Sequence, residues 1–460
     1  MSDLPRTPSP RRIAYDVLAA VRESDAYANL LLPVRLERSG LSAADAALAT
    51  ELTYGTLRMQ GYYDAVIRIA AHREIDQIEP AVRDVLRLGA HQLLSMRVPS
   101  HAAVNETVSV AAQALGRGRV GFVNGVLRGI ARARPDAWRE RVLADASNRD
   151  EAIAELGSHP VWIVRALRRS LAAERRPRAD VEAELEALLE ADNVAPRVNL
   201  VALPGEDGVP ESAEPDPYSP YGFTLPGDPF RLVRDSGGWV RVQDEGSQLA
   251  ALALVAARPV RAGERWLDLC AGPGGKAALL GAEARRGGAT LVANEIVPAR
   301  AGLVRNAVAP LGDVVEVVEG DGRGIPTEHS GEFDRVLLDA PCTGLGALRR
   351  RPESRWRKQP RDVAELTRLQ ASLIDAAVDA LRSGGILAYV TCSPHLGETR
   401  IAVAEALKRH PGVLEELPTQ EILQGAVDTP LDLAGDPAQV QLWPHRHNTD
   451  AMFIALLRKA

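Results

Sequence analysis

The sequence predicts a multidomain chain: an all-α first domain, a small α+β linker subdomain, and a C-terminal α/β domain on a doubly wound sheet. Three observations carry this expectation. Apolar residues recur at helical spacing from residue 11 to about 140, with no convincing period of two. Ala202 to Pro229, with seven Pro, four Gly and no base in 28 residues, then breaks the pattern. From about residue 247, short apolar strands alternate with helical stretches. A length of 460 residues leaves room for several domains of about 100–200 residues each.

Residues 1–10 read as a disordered tail, with Pro and Arg but no apolar period. Residues 11–140 form the helical domain. Ala14, Val17, Leu18 and Val21 follow the i, i+3, i+4, i+7 rule, and Val82, Val85, Leu86, Gly89 and Leu93 repeat it. Val104, Val108, Ala111 and Leu115 make a third set, ended by Gly116 and Gly118; Val123, Val126, Leu127 and Ile130 make a fourth. The spacing predicts about six or seven helices. From His101 to Arg139 the domain has Arg at 117, 119, 128, 132, 134 and 139 against Glu106 and Asp136. That fits either a solvated helix face or a phosphate-facing patch, with Arg117 and Arg119 as candidate contacts.

Residues 141–240 are expected to form the linker subdomain. Val181, Leu185 and Leu188 continue the helical pattern, Arg197 to Val201 reads as a strand, 202–229 as a loop, and Phe230 to Val242 as one or two strands. Residues 241–460 carry the α/β pattern. Strands are predicted at Arg265–Cys270, Thr290–Asn294, Val314–Val318, Phe333–Leu338 and Gly385–Thr391, with a terminal strand at Met452–Leu457. Helices around 276–286, 298–310, 361–382 and 397–410 separate them, which implies a parallel, Rossmann-like sheet.

Composition narrows the function classes. Hydrophobic residues at 46% and charged residues at 25% exclude wholesale disorder. The longest apolar run, Leu249 to Ala257, is far short of the about 20 residues of a membrane helix, and the N-terminus lacks the apolar core of a secretory signal. Three cysteines exclude a disulfide scaffold and a Cys-only zinc site, and fit a reducing cytosol. A cytoplasmic protein without membrane span or metal is expected.

In a doubly wound sheet, ligands bind beyond the carboxyl ends of the strands. Cys270, Glu295, Asp321, Asp339, Cys342 and Cys392, which include every cysteine of the chain, all lie at or just past a predicted strand end. The turn Cys270-Ala271-Gly272-Pro273-Gly274-Gly275-Lys276 opens a helix, so its backbone can approach a ligand and its free N–H groups favour an anion. It has neither the dinucleotide nor the P-loop spacing. Glu295 suits the hydroxyls of a ribose and Asp321 an adenine amino group. Each alone reads as a surface acid or helix cap; in this order they describe a site for an adenosine-containing cofactor. Asp339-Ala340-Pro341-Cys342 and Thr391-Cys392-Ser393-Pro394 follow strands expected to be neighbours, so two thiols should face one cleft. A disulfide is the competing reading, but thiols beside a cofactor point to covalent catalysis. Between them, Arg349, Arg350, Arg351, Arg355, Arg357, Lys358 and Arg361 stand against Glu353 alone. This run is read as a contact with nucleic-acid phosphate.

LDLCAGPGGK, DAPCTGLGALRRRPESRW and YVTCSP, in this order and spacing, resemble the Sun/Fmu-type RNA (cytosine-5) methyltransferases. Val242 to Gln248 is similar to that family's VQDEASQ element, and the first domain, with Phe122 to Leu127, resembles the NusB RNA-binding fold. A NusB-like domain ahead of such a catalytic domain is the layout of the RsmB-like 16S rRNA methyltransferases. The resemblance implies S-adenosylmethionine in the turn Cys270 to Lys276, Glu295 at the ribose (where the family more often has Asp), Asp321 by the adenine, and Asp339 near the methionine end and the base. Gly272 stands where Ala is common. Cys392 is the implied nucleophile and Cys342 the helper in product release. The implied chemistry adds the Cys392 thiolate to carbon 6 of an unstacked cytosine, methylates carbon 5, and loses the proton there to Cys342 or a nearby water. The implied partner is 16S rRNA, and a monomer is expected. Rival readings are a tRNA substrate, a non-catalytic RNA-binding assembly factor, and a thiol redox protein. Both thiols, the turn and the strand-end acids speak against the second, and the lack of a C-x-x-C motif against the third.

Overall fold

The computed structural model describes residues 9–24, 26–175, 178–205 and 209–460. Its contacts divide the chain into two units. One holds the chain up to Arg165 with Leu185–Ala195 and Leu348–Arg357; the other holds Ala166–Glu184, Pro196–Ala347 and Lys358–Ala460. The stretch expected as a separate linker subdomain, 141–240, is shared between the two. Of the expected tail, residues 1–8 lie outside the described residues, and Pro10 already opens a helix.

The first unit is helical. Its helices are α1 (Pro10–Glu23), α2 (Ala28–Glu37), α3 (Ala43–Arg58), α4 (Gln60–Ala71), α5 (Pro80–Leu94), α6 (Ser100–Leu115), α7 (Arg117–Ala131), α8 (Pro135–Asp145) and α9 (Arg149–Gly157). The Ser9 side chain accepts from the Arg12 N–H and Pro10 takes the first position, so α1 starts where its capping residues put it. Its predicted stripe of Ala14, Val17, Leu18 and Val21 is buried. The helix count exceeds the expectation because α2 and α8 bury only Ala28 and Leu32, and Trp138 and Val142, which leaves no readable stripe.

The second unit carries two sheets. β1 (Leu200–Ala202), β2 (Glu214–Pro215), β3 (Gly222–Thr224) and β4 (Val240–Val242) form a small antiparallel sheet in the order β2-β3-β1-β4. The Pro/Gly-rich stretch therefore supplies two strands rather than only a loop. Part of the strand expected at Phe230–Val242 is instead the helix Pro229–Asp235. Asp228 accepts from the Phe230 N–H and Pro229 sits at the first helical position, a start signal that outweighs the β-branched residues after it.

The large sheet holds β5 (Arg265–Asp268), β6 (Thr290–Glu295), β7 (Val315–Glu319), β8 (Phe333–Asp339), β9 (Leu381–Thr391), β10 (Leu414–Glu416), β11 (Gln439–Gln441) and β12 (Phe453–Lys459). The order is β10-β12-β9-β8-β5-β6-β7, with β11 also on β12. β5 to β9 pair in parallel, as expected, while β12 runs antiparallel to β9 and to both short strands beside it. The winding reverses between β5 and β8, so the ligand crevice of such a sheet lies beyond their carboxyl ends.

Candidate active site

β5 ends at Asp268, two residues before the expected end at Cys270. The acid at this strand end is therefore Asp268, a residue of LDLCAGPGGK that was not among the expected site residues. It is 1% exposed, and neither carboxylate oxygen has a hydrogen-bond partner of good geometry. Burial, with the charge of Asp339 adding, pushes its pKa up to about 8. Such a group is costly unless a ligand supplies the donor. The Cys270 thiol is pushed far up by burial and by the carboxylates of Asp268, Asp339 and Glu295, so it stays protonated and a poor nucleophile.

The turn after β5 is shaped by its glycines. Gly274 has φ 106°, and a Cβ there would lie 2.5 Å from the Ala307 Cβ. The helix Gly275–Gly287 thus begins on bare backbone. Glu295, ending β6, is 3% exposed and reaches beneath the turn. Its Oε2 accepts from the Gly272 N–H at 3.1 Å and its Oε1 from the Val297 N–H at 2.9 Å. Arg300 pairs with this carboxylate at 3.5 Å and donates to the Gly272 carbonyl. A Cβ at 272 would stand 2.2 Å from Glu295 Oε2. Gly272 and Glu295 are therefore coupled: the carboxylate occupies the space that a methyl group at 272 would need. Asp321, just past β7, caps the turn Gly322–Gly324 and is bonded to Arg323, which draws its pKa down.

β8 and β9 are parallel neighbours, and the loops after them bring Cys342 Sγ and Cys392 Sγ to 3.4 Å. Both thiols are free and half-buried. Lys276, in the first turn of the helix after β5, donates to Asp339 Oδ2 at 2.8 Å. Burial lowers the pKa of its ammonium, but the charge and hydrogen bond of Asp339, with Cys392 and Asp268, outweigh this and hold it raised. The Cys342 thiol is held well above its ordinary range by its hydrogen bond with Cys392, by burial, and by Glu398 and Asp339.

Glu398, which the sequence reading missed, is fully buried. It accepts from the Thr343 N–H at 2.8 Å, the Thr343 hydroxyl at 2.5 Å, the Ser393 hydroxyl at 2.7 Å and the Gln370 amide at 3.4 Å. Thr343 follows Cys342 and Ser393 follows Cys392. No local motif signals this role, which exists only once β8 and β9 lie side by side. Asp244 and Glu245, in the VQDEGSQ segment, act as backbone anchors. Asp244 Oδ1 accepts from the Gly246 and Asp450 N–H groups, and Glu245 Oε1 from Tyr218 and Ser219.

The arginine run does not behave as one surface. Arg355 is fully buried in the helical unit, donating to the carbonyls of Arg58, Ser158 and Asp192 and to the Asn193 side chain at 2.7–3.1 Å. Arg58 ends α3, Ser158 caps α9, and Asp192 ends the helix Arg178–Asp192. One guanidinium thus serves three helix C-termini, whose carbonyls lack helical partners and carry partial negative charge. Glu353 complements it by accepting from the Ala28 N–H at the start of α2. Arg355 is therefore not a phosphate contact. Arg349 is also buried, and Arg357 donates to the carbonyls of Val21 and Ala26. Arg350 and Lys358 are half-buried, and Arg351 is exposed near the Tyr27 ring. Arg117 is exposed; Arg119, also exposed, pairs with Glu79 at 3.1 Å. Among the described residues no cluster of His, Cys, Asp or Glu is arranged to hold a metal ion, and no helix is long and apolar enough to cross a membrane.

Comparison with known proteins bears on this arrangement. Residues 255–458 match the family described as 16S rRNA methyltransferase RsmB/F, and residues 8–132 match the NusB family. A Mycobacterium tuberculosis protein described as a methyltransferase is 48% identical over 98% of this chain and 96% of that one. The ribosomal RNA small subunit methyltransferase B of Citrobacter koseri is 33% identical over 97% of each chain. The crystal structure of PH0851 superposes over the whole of both chains with a TM-score of 0.76 at 21% identity, which establishes likeness of fold.

Proposed function

Because the chain belongs to the RsmB/F family of 16S rRNA methyltransferases, we propose that it methylates carbon 5 of a cytosine in 16S rRNA through a covalent bond from Cys392 to carbon 6. The observation that carries this reading is the pair of sulfurs 3.4 Å apart beyond adjacent parallel strands, beside the Gly-rich turn. S-adenosylmethionine, when bound, supplies an electrophilic methyl group. The residues present fit it: the helix after the turn opens at Gly275 with no side-chain cap on its N–H groups, and Asp268 holds a buried carboxyl group with no well-formed hydrogen bond.

Carbon 5 of cytosine is a poor nucleophile, and addition of a thiolate at carbon 6 makes it enamine-like. Cys392 makes that addition, while Cys342, whose thiol keeps its proton, stays out of the attack. Asp339, held by Lys276, accepts a hydrogen bond from the ring nitrogen once that nitrogen, gaining charge on addition, has taken up a proton from water, which it gives back on elimination. The carbon 5 proton then leaves to Cys342 or a water beside it, and elimination returns the Cys392 thiolate. Attack on the face of the ring needs an unstacked base, so the target lies in a loop or is flipped out. The protein works on RNA as a cytoplasmic monomer.

The test is nucleoside mass spectrometry of 16S rRNA and tRNA, each incubated with the protein and S-adenosylmethionine. 5-Methylcytosine should rise in 16S rRNA with the native chain and be absent with Cys392→Ala. Product in tRNA alone, or methylation at another atom, would overturn the reading.

A further inference from the structure

We propose that Glu398 is a positioning residue: its buried carboxylate ties the loop after Cys342 to the loop after Cys392 and makes the two thiols chemically unequal. The inference rests on the thiol roles given above and names what enforces them.

The geometry is that of a clamp. Oε1 takes the Thr343 N–H and the Gln370 amide; Oε2 takes the hydroxyls of Thr343 and Ser393, which lie 3.2 Å from each other. Each bridged residue is one peptide bond from a cysteine. The clamp is itself anchored. Tyr389, inside β9, donates to the Glu398 carbonyl at 2.8 Å, and Gln370 donates to the Pro341 carbonyl at 2.9 Å. A carboxylate with four donors is well satisfied in a buried place.

The carboxylate bonds unevenly to the two loops: it takes both the N–H and the hydroxyl of Thr343, next to Cys342, but only the hydroxyl of Ser393, next to Cys392. The groups that interact with the pair are Asp339 from β8, Tyr389 from β9, Lys276 from the helix after β5, and Glu398 from the loop after β9, which also holds His395. Burial keeps His395 neutral by lowering its pKa. Glu398 and Asp339 act on Cys342 against ionisation, whereas the Lys276 ammonium interacts with Cys392. Negative charge on one side and positive on the other give the shared proton a preferred sulfur. That sulfur is Cys342, which leaves Cys392 the readier nucleophile.

The experiment is peptide-resolved alkylation of the full chain by iodoacetamide across pH 6–9, without RNA or cofactor. In the native chain Cys392 should react at least about tenfold faster than Cys342 at neutral pH, since one unit of pKa difference is a factor of ten. Glu398→Gln keeps the shape and loses the charge. With melting unchanged, its ratio should fall to about threefold or less, and the alkylation profile of Cys342 should move to lower pH. An unchanged ratio and profile in a folded Glu398→Gln chain would overturn the inference. Glu398→Asp keeps the charge but cannot span both hydroxyls, and it serves if the Gln variant does not fold. It should retain the thiol preference while methyl transfer falls about tenfold, or about 1.4 kcal/mol. Full transfer by Glu398→Asp would overturn the clamp. Because alkylation needs no substrate, a failure here is distinct from a failure of the cytosine assignment.

Discussion

At the ends of β5 and β8, ionisable groups stand close together with fewer partners than they could take. Asp268 is buried without a donor, and Lys276 and Asp339 satisfy one another beside two free thiols. In Leu348–Arg357 the charges are spent. Arg355 serves three helix C-termini, Arg357 two further carbonyls, and Glu353 the start of α2. The second stretch is by far the denser in charge, with six charged side chains in ten residues against two in the ten of Leu267–Lys276. The difference teaches that an unmet polar group in a crevice awaits a ligand, whereas charge absorbed by helix ends holds the fold.

The contrast can be broken most directly at Arg355. Arg355→Ala should destabilise the protein by about 3 kcal/mol, because buried carbonyls of three helices lose their donor. Denaturant titration would show this as a lower midpoint, with thiol reactivity at Cys392 unaltered. A variant as stable as the native chain but defective in RNA binding would reverse the assignment.

A smaller effect sharpens the other side. Gly272→Ala should weaken S-adenosylmethionine binding about tenfold, because the new methyl group displaces the Glu295 carboxylate from under the turn. Adding Glu295→Asp should recover most of that loss, as calorimetry on both variants would show. Equal losses in the single and double variants would mean that the two positions act independently.

Much of this was legible in the sequence. Short apolar runs and the 3.6 period located the parallel strands and the helical unit, and strand-end placement brought Cys342 and Cys392 to one cleft because β8 and β9 pair as expected. A strand end misjudged by two residues hid Asp268. Glu398 was hidden for a different reason: its partners lie 55 residues away in one case and 5 in another, and no spacing rule joins them. Arg355 misled because a count of bases carries no information on burial, and a guanidinium suits helix-end carbonyls as well as phosphate. The helix Pro229–Asp235 was announced by Asp228 and Pro229, a start signal read as part of a loop.

The central claim is that Cys392 attacks the base and Cys342 is needed for release. It is tested most directly by incubating each cysteine variant with 16S rRNA and S-adenosylmethionine and separating products on a denaturing gel. The account predicts a protein–RNA adduct that survives denaturant with Cys342→Ala, its mass equal to the protein plus methylated RNA, and no adduct with Cys392→Ala. An adduct formed by Cys392→Ala, or none from Cys342→Ala, would contradict it.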